Sequence, residues 1–180
     1  MKAAAASVAF QSWKALPSWS ADAWPVALWP FIAETGSLTE RLKAKAGAAF
    51  HVQVLKESEV GLLAQDAALL RAKAGEPAYL RQVYLCGEQP LVYARSVAVG
   101  EGRRWLKELG DNPLGQRVFA AKDARRGPIE ATSLAPGEPL YEAAMANLAA
   151  KPGRLWARRS LLTVGDAAIL IYECFLPGLG

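Results

Sequence analysis

Along most of this chain hydrophobic positions recur with a period of two, in short runs rich in β-branched and aromatic residues. Runs of that kind read as strands whose side chains alternate between two faces. The pattern predicts strands near 50–57 (Phe50-His51-Val52-Gln53-Val54-Leu55), 78–86, 90–99, 128–132, 154–164 and 167–176. Gly87-Glu88-Gln89 and Gly165-Asp166 read as hairpin turns, since glycine and short polar residues suit tight connections. Ser37 and Glu40 have the spacing of a capping box, which starts a helix running to about Ala48. A helical or irregular stretch is expected over 59–75, ending at Gly75-Glu76-Pro77. Helices are also expected over 102–109, closed by Gly110, over a short run to about Ala121, and over 138–150. Residues 1–30 carry Trp13, Pro17, Trp19, Trp24, Pro25, Trp29 and Pro30 and read as short pieces packed as a cover. Six strands dominated by hairpins, with helices between them, indicate an α+β fold on an antiparallel sheet, in one domain over 1–180.

Three charged residues break that pattern. Glu173 falls in Ala168-Ile169-Leu170-Ile171-Tyr172-Glu173-Cys174-Phe175 and shares a face with Ile169, Ile171 and Phe175. Arg81 shares one with Val83 and Leu85. Arg95 shares parity with Leu91, Tyr93 and Val97. A charge inside a core is costly unless it is paired or bound to something. Arginine presents a planar fork that matches carboxylates in bidentate fashion. Pairing of 78–86 with 90–99 is expected to bring Arg81 and Arg95 onto one face, making a site for a small ligand with more than one carboxylate. The helix start at Ser37-Leu38-Thr39 offers free backbone N–H groups to an anion. The Pro113-Leu114-Gly115 loop exposes backbone polar groups that can approach a ligand. A buried Arg–Glu pair also serves as structure alone, and spacing by itself does not separate the two uses.

Composition narrows the classes. A chain of 180 residues can build a real core, and 52% hydrophobic with 21% charged residues is the balance of a soluble globular protein. The net charge of +4 suits an anionic ligand. No basic block interleaved with aromatics and no zinc-ligand spacing points to nucleic acid. The pairs Arg103-Arg104, Arg125-Arg126 and Arg158-Arg159 read for the most part as solvated surface charge. Cys86 and Cys174 fall inside strand-like runs and read as small core residues without a disulfide framework. Met1-Lys2-Ala3-Ala4-Ala5-Ala6-Ser7 is followed by Gln11, Ser12, Lys14 and Pro17, which interrupt any signal-peptide core, and no transmembrane span is read. His51 is the only histidine and reads as a partly exposed sheet residue. Neither a Walker loop nor a dinucleotide fingerprint is present.

Taken in order, several segments resemble the chorismate pyruvate-lyase family. They are Gly36-Ser37-Leu38-Thr39-Glu40-Arg41-Leu42, Leu80-Arg81-Gln82-Val83, Ala94-Arg95-Ser96-Val97, Leu109-Gly110-Asp111-Asn112-Pro113-Leu114-Gly115, Ile129-Glu130, Leu155-Trp156-Ala157-Arg158-Arg159-Ser160 and Tyr172-Glu173-Cys174-Phe175-Leu176-Pro177. The match runs from about residue 31 to 178. The resemblance implies a six-stranded antiparallel sheet with an internal site under helical flaps. It implies an enzyme that eliminates pyruvate from chorismate to give 4-hydroxybenzoate, at the start of ubiquinone synthesis, in the cytoplasm. The family's ligand-contacting arginine falls on Arg81 and its essential glutamate on Glu173. Its backbone contacts fall on Leu38, where some relatives have Met, and on Leu114. Arg95 is then a candidate for the enolpyruvyl carboxylate or for pairing with Glu173. No metal or redox cofactor is implied, and no nucleic acid or stable membrane insertion. Whether product passes directly to a membrane prenyltransferase is left open. Residues 132–153 are longer than in the relative compared, and their helix is expected to reshape the flap or serve a partner. The alternative is an aromatic-acid sensor of the UTRA type, a ligand-binding module of bacterial transcription regulators; only about 30 residues precede the match, too few for a winged helix.

Overall fold

In the computed structural model, which describes residues 12–180, eight strands form one antiparallel sheet. In chain order they are β1 (Lys14–Ala15), β2 (His51–Gly61), β3 (Pro77–Cys86), β4 (Pro90–Ala98), β5 (Arg125–Arg126), β6 (Glu130–Leu134), β7 (Leu155–Val164) and β8 (Ala167–Phe175). Their spatial order is β1-β6-β7-β8-β4-β3-β2, and β5 also pairs with β7. Six of these are the strands that the hydrophobic pattern predicts. The other two, β1 and β5, are two-residue pairings too short to carry a periodic signal. The helices are α1 (Trp29–Ile32), α2 (Leu38–Ala46), α3 (Ala64–Leu70), α4 (Glu101–Lys107), α5 (Leu114–Ala120) and α6 (Pro139–Met145). The expectation for Met1–Ser7 lies outside the described residues.

Boundaries differ most at two places: the helix expected over 138–150 ends at Met145, and one strand runs past its expected end. The stretch expected to be helical or irregular from 59 is still strand to Gly61, because β2 continues along β3 as far as Pro77. Glu59, which looks like the polar start of a helix, is an exposed rung on this outer strand and pairs with Arg103 and Lys107 of α4.

Cross-strand register assigns every sheet residue to a face. On one face lie Arg81, Val83 and Leu85 of β3, opposite Ser96, Ala94 and Val92 of β4. The same face continues through Ile171, Glu173 and Phe175 of β8 to Ser160, Arg158 and Trp156 of β7. The other face carries Tyr84, Tyr93, Val97, Leu170, Tyr172 and Cys174, and α3 and α6 cover it with Ala67, Leu70, Tyr141, Ala144 and Met145. On the first face two apolar clusters form at opposite ends. One gathers Trp24, Phe31, Ile32, Leu38 and Leu42 from the N-terminal cover, α1 and α2. The second gathers Leu106, Leu109, Leu114 and Val118 from α4 and α5. The gap between these two clusters is where the site lies.

A bulge between Leu85 and Cys86 decides which residues meet. Cys86 pairs with Pro90, but Leu85 pairs with Val92, so Leu91 is an extra residue on β4. Continuing the register of the turn would have placed Arg81 opposite Arg95. One inserted residue flips the parity of all that follows, because the side-chain period is two. Arg81 therefore lies opposite Ser96, and Arg95 opposite Gln82 on the other face.

The segment at 132–153 contributes α6, which sits on the face away from the gap, where Tyr84 Oη donates to Ala144 O at 2.8 Å. It does not reshape a flap over the site. Both cysteines are buried and free, and burial pushes their thiols up. Among the described residues no helix is long and apolar enough to cross a membrane.

Candidate active site

The gap is a pocket of about 490 Å³, part of it open to solvent. Sites for small molecules combine apolar walls with a few converging polar groups. Leu38, Val52, Val83, Leu85, Leu114, Leu162 and Ile171 form walls suited to a flat ring, and Ala94 and Ser96 give a floor of small side chains. The polar groups that reach in are Arg81, Arg126, Thr39 and Glu173.

Arg81 is 2% exposed and Glu173 is 3% exposed, so both charges are withdrawn from water. Their strands are separated by β4, and their register positions differ by two residues. Two strand spacings and two residue rises set their Cα atoms about 12 Å apart, with both side chains leaning into one cavity. Arg81 pairs with Glu57 of β2, and its Nη2 donates to Asn112 O at 3.2 Å. The second bond ties the loop before α5 over the pocket. Glu173 Oε2 accepts from Arg158 Nε at 2.6 Å. Arg158 is 1% exposed, and its Nη1 donates to Ile32 O at 3.0 Å and Glu34 O at 2.6 Å. Arg158 thus fixes the orientation of the Glu173 carboxylate and anchors the chain entering α2 to the sheet. In that segment, burial alone would raise the Glu34 carboxyl, but the Gly36 N–H and Arg41 hold it below its ordinary value.

Two helix starts close the site. Ser37 caps α2, its Oγ accepting from Glu40 N at 3.3 Å, which leaves Leu38 at the first helical position. α5 begins at Leu114 after Pro113, whose missing N–H costs nothing at a helix start. The first N–H groups of a helix have no partner within it, so both ends can offer donors to the cavity. They abut closely: a Cβ on Gly115 would lie 2.8 Å from Thr39 Oγ1 and 3.3 Å from Ser37 Oγ.

Arg81, Glu173, Leu38 and Leu114, singled out from the sequence, all line this one pocket. Arg95 does not join them. Its guanidinium meets Asp66 of α3 on the opposite face, at 2.7 and 3.4 Å, and packs over Tyr172. Asp66 is fully buried and also accepts from Tyr172 Oη at 2.7 Å. Burial and the Asp66 charge push the Tyr172 phenol up. Arg95 therefore pairs with neither Glu173 nor anything in the pocket.

Two site arginines were missed by reading the basic pairs as surface charge. Arg158 carried a usable signal, since it shares parity with Trp156, Ser160 and Leu162 in a predicted strand. Arg126 carried none, because it stands in a two-residue strand. Arg103 and Arg104 do form surface pairs, with Glu59 and Glu101. His51 is exposed and takes no part in the site. Among the described residues no group of three His, Cys, Asp or Glu is placed to hold a metal ion.

Comparison with solved structures finds the same fold in an effector domain and in the C-terminal domain of a repressor. The effector domain of PhnF from Mycobacterium smegmatis superposes with a TM-score of 0.61, covering 81% of this chain and 91% of that domain at 16% identity. The C-terminal domain of the histidine utilization repressor from Pseudomonas syringae pv. tomato gives 0.54, covering 73% and 94% at 9% identity. Identities this low speak to fold alone. Sequence relatives are nearer. A protein of Azoarcus sp. strain BH72 named "Probable chorismate pyruvate-lyase" is 34% identical over 178 residues, covering 94% of this chain and 92% of its own. One of the same name from Methylococcus capsulatus is 40% identical over 157 residues, covering 84% and 94%. The family model described as chorismate lyase matches residues 12–179, from the N-terminal cover through both helix starts to just past the end of β8. With the pocket, its buried arginine and its buried glutamate inside that span, the chain belongs to the chorismate lyase family.

Proposed function

We propose that this chain eliminates pyruvate from chorismate and leaves 4-hydroxybenzoate, the entry to ubiquinone synthesis. The observation that carries the reading is Arg81 and Glu173 facing one apolar cavity from a single sheet face, in a chain of this family. Chorismate carries a ring carboxylate, a ring hydroxyl and an enolpyruvyl ether with a second carboxylate. The reaction breaks the ether C–O bond, takes the hydrogen from the ring carbon that bears the hydroxyl, and delivers a proton to the enolpyruvate methylene. It is redox-neutral and driven by aromatisation, so positioning and the handling of one proton suffice, without a redox or metal cofactor.

Arg81 and the backbone N–H of Leu38 hold the ring carboxylate. Glu173, oriented by Arg158, contacts the oxygen that becomes the phenol and relays a proton, and the backbone at Leu114 meets the ligand under the loop that Arg81 ties down. The apolar walls select a flat six-membered ring. The reaction takes place in the cytoplasm, with any contact to a membrane prenyltransferase transient.

The test is to mix purified protein with chorismate and follow 4-hydroxybenzoate and pyruvate together. Equal amounts of both, well above the uncatalysed rate, are expected. The likeness to effector domains favours one second reading, a sensor that binds an aromatic acid without turning it over. Calorimetric binding of 4-hydroxybenzoate with no pyruvate formed from chorismate would replace the lyase by that sensor.

A further inference from the structure

We propose that Arg126 holds the second carboxylate of a dianionic ring substrate, the one on the enolpyruvyl arm, across the pocket from the ring carboxylate at Arg81. The inference rests on the lyase reading and assigns a residue to the part of the substrate that leaves.

Charge pairing singles out Arg126. Three guanidiniums serve this face of the sheet. Arg81 has Glu57 as its counter-ion and Arg158 has Glu173. Arg126 meets no carboxylate within ion-pair distance among the described residues. Its Nη1 donates to Ser160 Oγ at 2.5 Å, its Nη2 to Gly36 O at 3.2 Å, and its Nε is buried with no partner. Neutral acceptors do not replace the hydration that a charge loses on burial. Burial pushes the guanidinium's pKa below its ordinary value; Glu173 and Glu34 oppose that shift from a distance, and Arg158 adds to it. An anion in the pocket would relieve all of this at once. The guanidinium lies over the ring of Phe119, 5.3 Å from its centroid, which limits its freedom and presents it ready-placed.

Position agrees with charge. Ser160, Ile171, Ser96 and Arg81 form one row across β7, β8, β4 and β3. The outer Cα atoms of that row stand about 14 Å apart, three strand spacings. Arg126 delivers its guanidinium to the Ser160 end, and Arg81 occupies the other. Glu173 lies between them, one residue pair along. A ligand with a carboxylate toward each end and a hydroxyl at its middle matches this layout. A monocarboxylate such as 4-hydroxybenzoate reaches Arg81 only.

The test exploits that difference. For Arg126→Gln, kcat/KM with chorismate is expected to fall about 100-fold, the scale of a lost charge-assisted bidentate contact, while the Kd for 4-hydroxybenzoate moves less than about threefold. Arg126→Lys should recover part of the loss. Arg81→Gln should weaken the substrate and 4-hydroxybenzoate alike. Equal loss of both ligands in Arg126→Gln, or loss of neither, would overturn the assignment. Should that variant fail to fold, wild-type protein still decides. 3-(Carboxymethoxy)-4-hydroxybenzoate is expected to bind at least about tenfold tighter than the same molecule with the arm carboxylate turned into an amide. Equal affinity for the two sinks the proposal. Wild-type protein that forms no pyruvate would defeat the lyase reading instead, and the acid–amide comparison would still report on Arg126.

Discussion

On one face of the sheet Arg95 is gripped by Asp66, with Tyr172 supplying a third bond to the same carboxylate. On the other, Arg126 hydrogen-bonds a serine and a backbone carbonyl and meets no carboxylate among the described residues, beside a cavity that also receives Arg81 and Glu173. Each face holds a part-buried arginine in an apolar sheet, although only Arg95 stood out in the sequence. What differs is whether the fold itself completes the electrostatics. Asp66 comes from α3 and closes its face with a protein carboxylate, which completes the charge of Arg95 without a ligand. The opposite face is packed at both ends by apolar clusters and not in the middle. An arginine whose counter-ion is missing is therefore the stronger sign of a ligand, and one paired at a single end, as Arg81 is with Glu57, can still face a cavity.

Substitutions can break or sharpen this contrast. The largest effect is expected for Glu173→Gln, which keeps the shape and a hydrogen bond for Arg158 but removes the carboxylate; kcat should fall about 10³-fold, with 4-hydroxybenzoate binding checking that the pocket is intact. A folded variant with full turnover would remove Glu173 from the chemistry. Asp66→Asn should do the reverse. Arg95 loses its counter-ion in a part-buried setting, so denaturant unfolding should show a loss of about 2–4 kcal/mol. Turnover per folded molecule should stay within about threefold, since the substitution lies on the closed face. A collapse of activity at unchanged stability would place a function on that face. Gly115→Ala tests the closure of the two helix starts. Its new methyl would crowd Thr39 and Ser37, and kcat/KM should drop about tenfold through displaced backbone donors. His51→Ala, at an exposed position away from the site, should change stability by less than about 0.5 kcal/mol and turnover not measurably.

Much of this was legible in the residues. Period-two alternation located the six long strands, and the parity of Glu173 and Arg81 within them marked both as inward-facing charges. The capping spacing of Ser37 and Glu40 located the start of α2, which brings Leu38 to the pocket. Arg158 was legible by the same parity argument and was passed over beside Arg159. Arg126 was not legible, because two residues cannot express a period and its partners, Ser160 and Gly36, lie 34 and 90 positions away.

The division between sequence and structure follows from the range of each force. Alternation within a strand is local, so the chain alone determined which residues share a face with their own neighbours, and the order of its segments was enough to suggest the family. Register between strands is not local. The single extra residue at Leu91 moved Arg95 to the far face, and no composition rule foretells a one-residue bulge. Counter-ions are chosen by tertiary packing too: α3 delivered Asp66 to Arg95, β2 delivered Glu57 to Arg81, and none of the described residues delivers a carboxylate to Arg126. The sequence determined where charge enters the core. Only the folded arrangement decided which charge is left for a ligand, because that depends on which side chains meet across distant strands and helices.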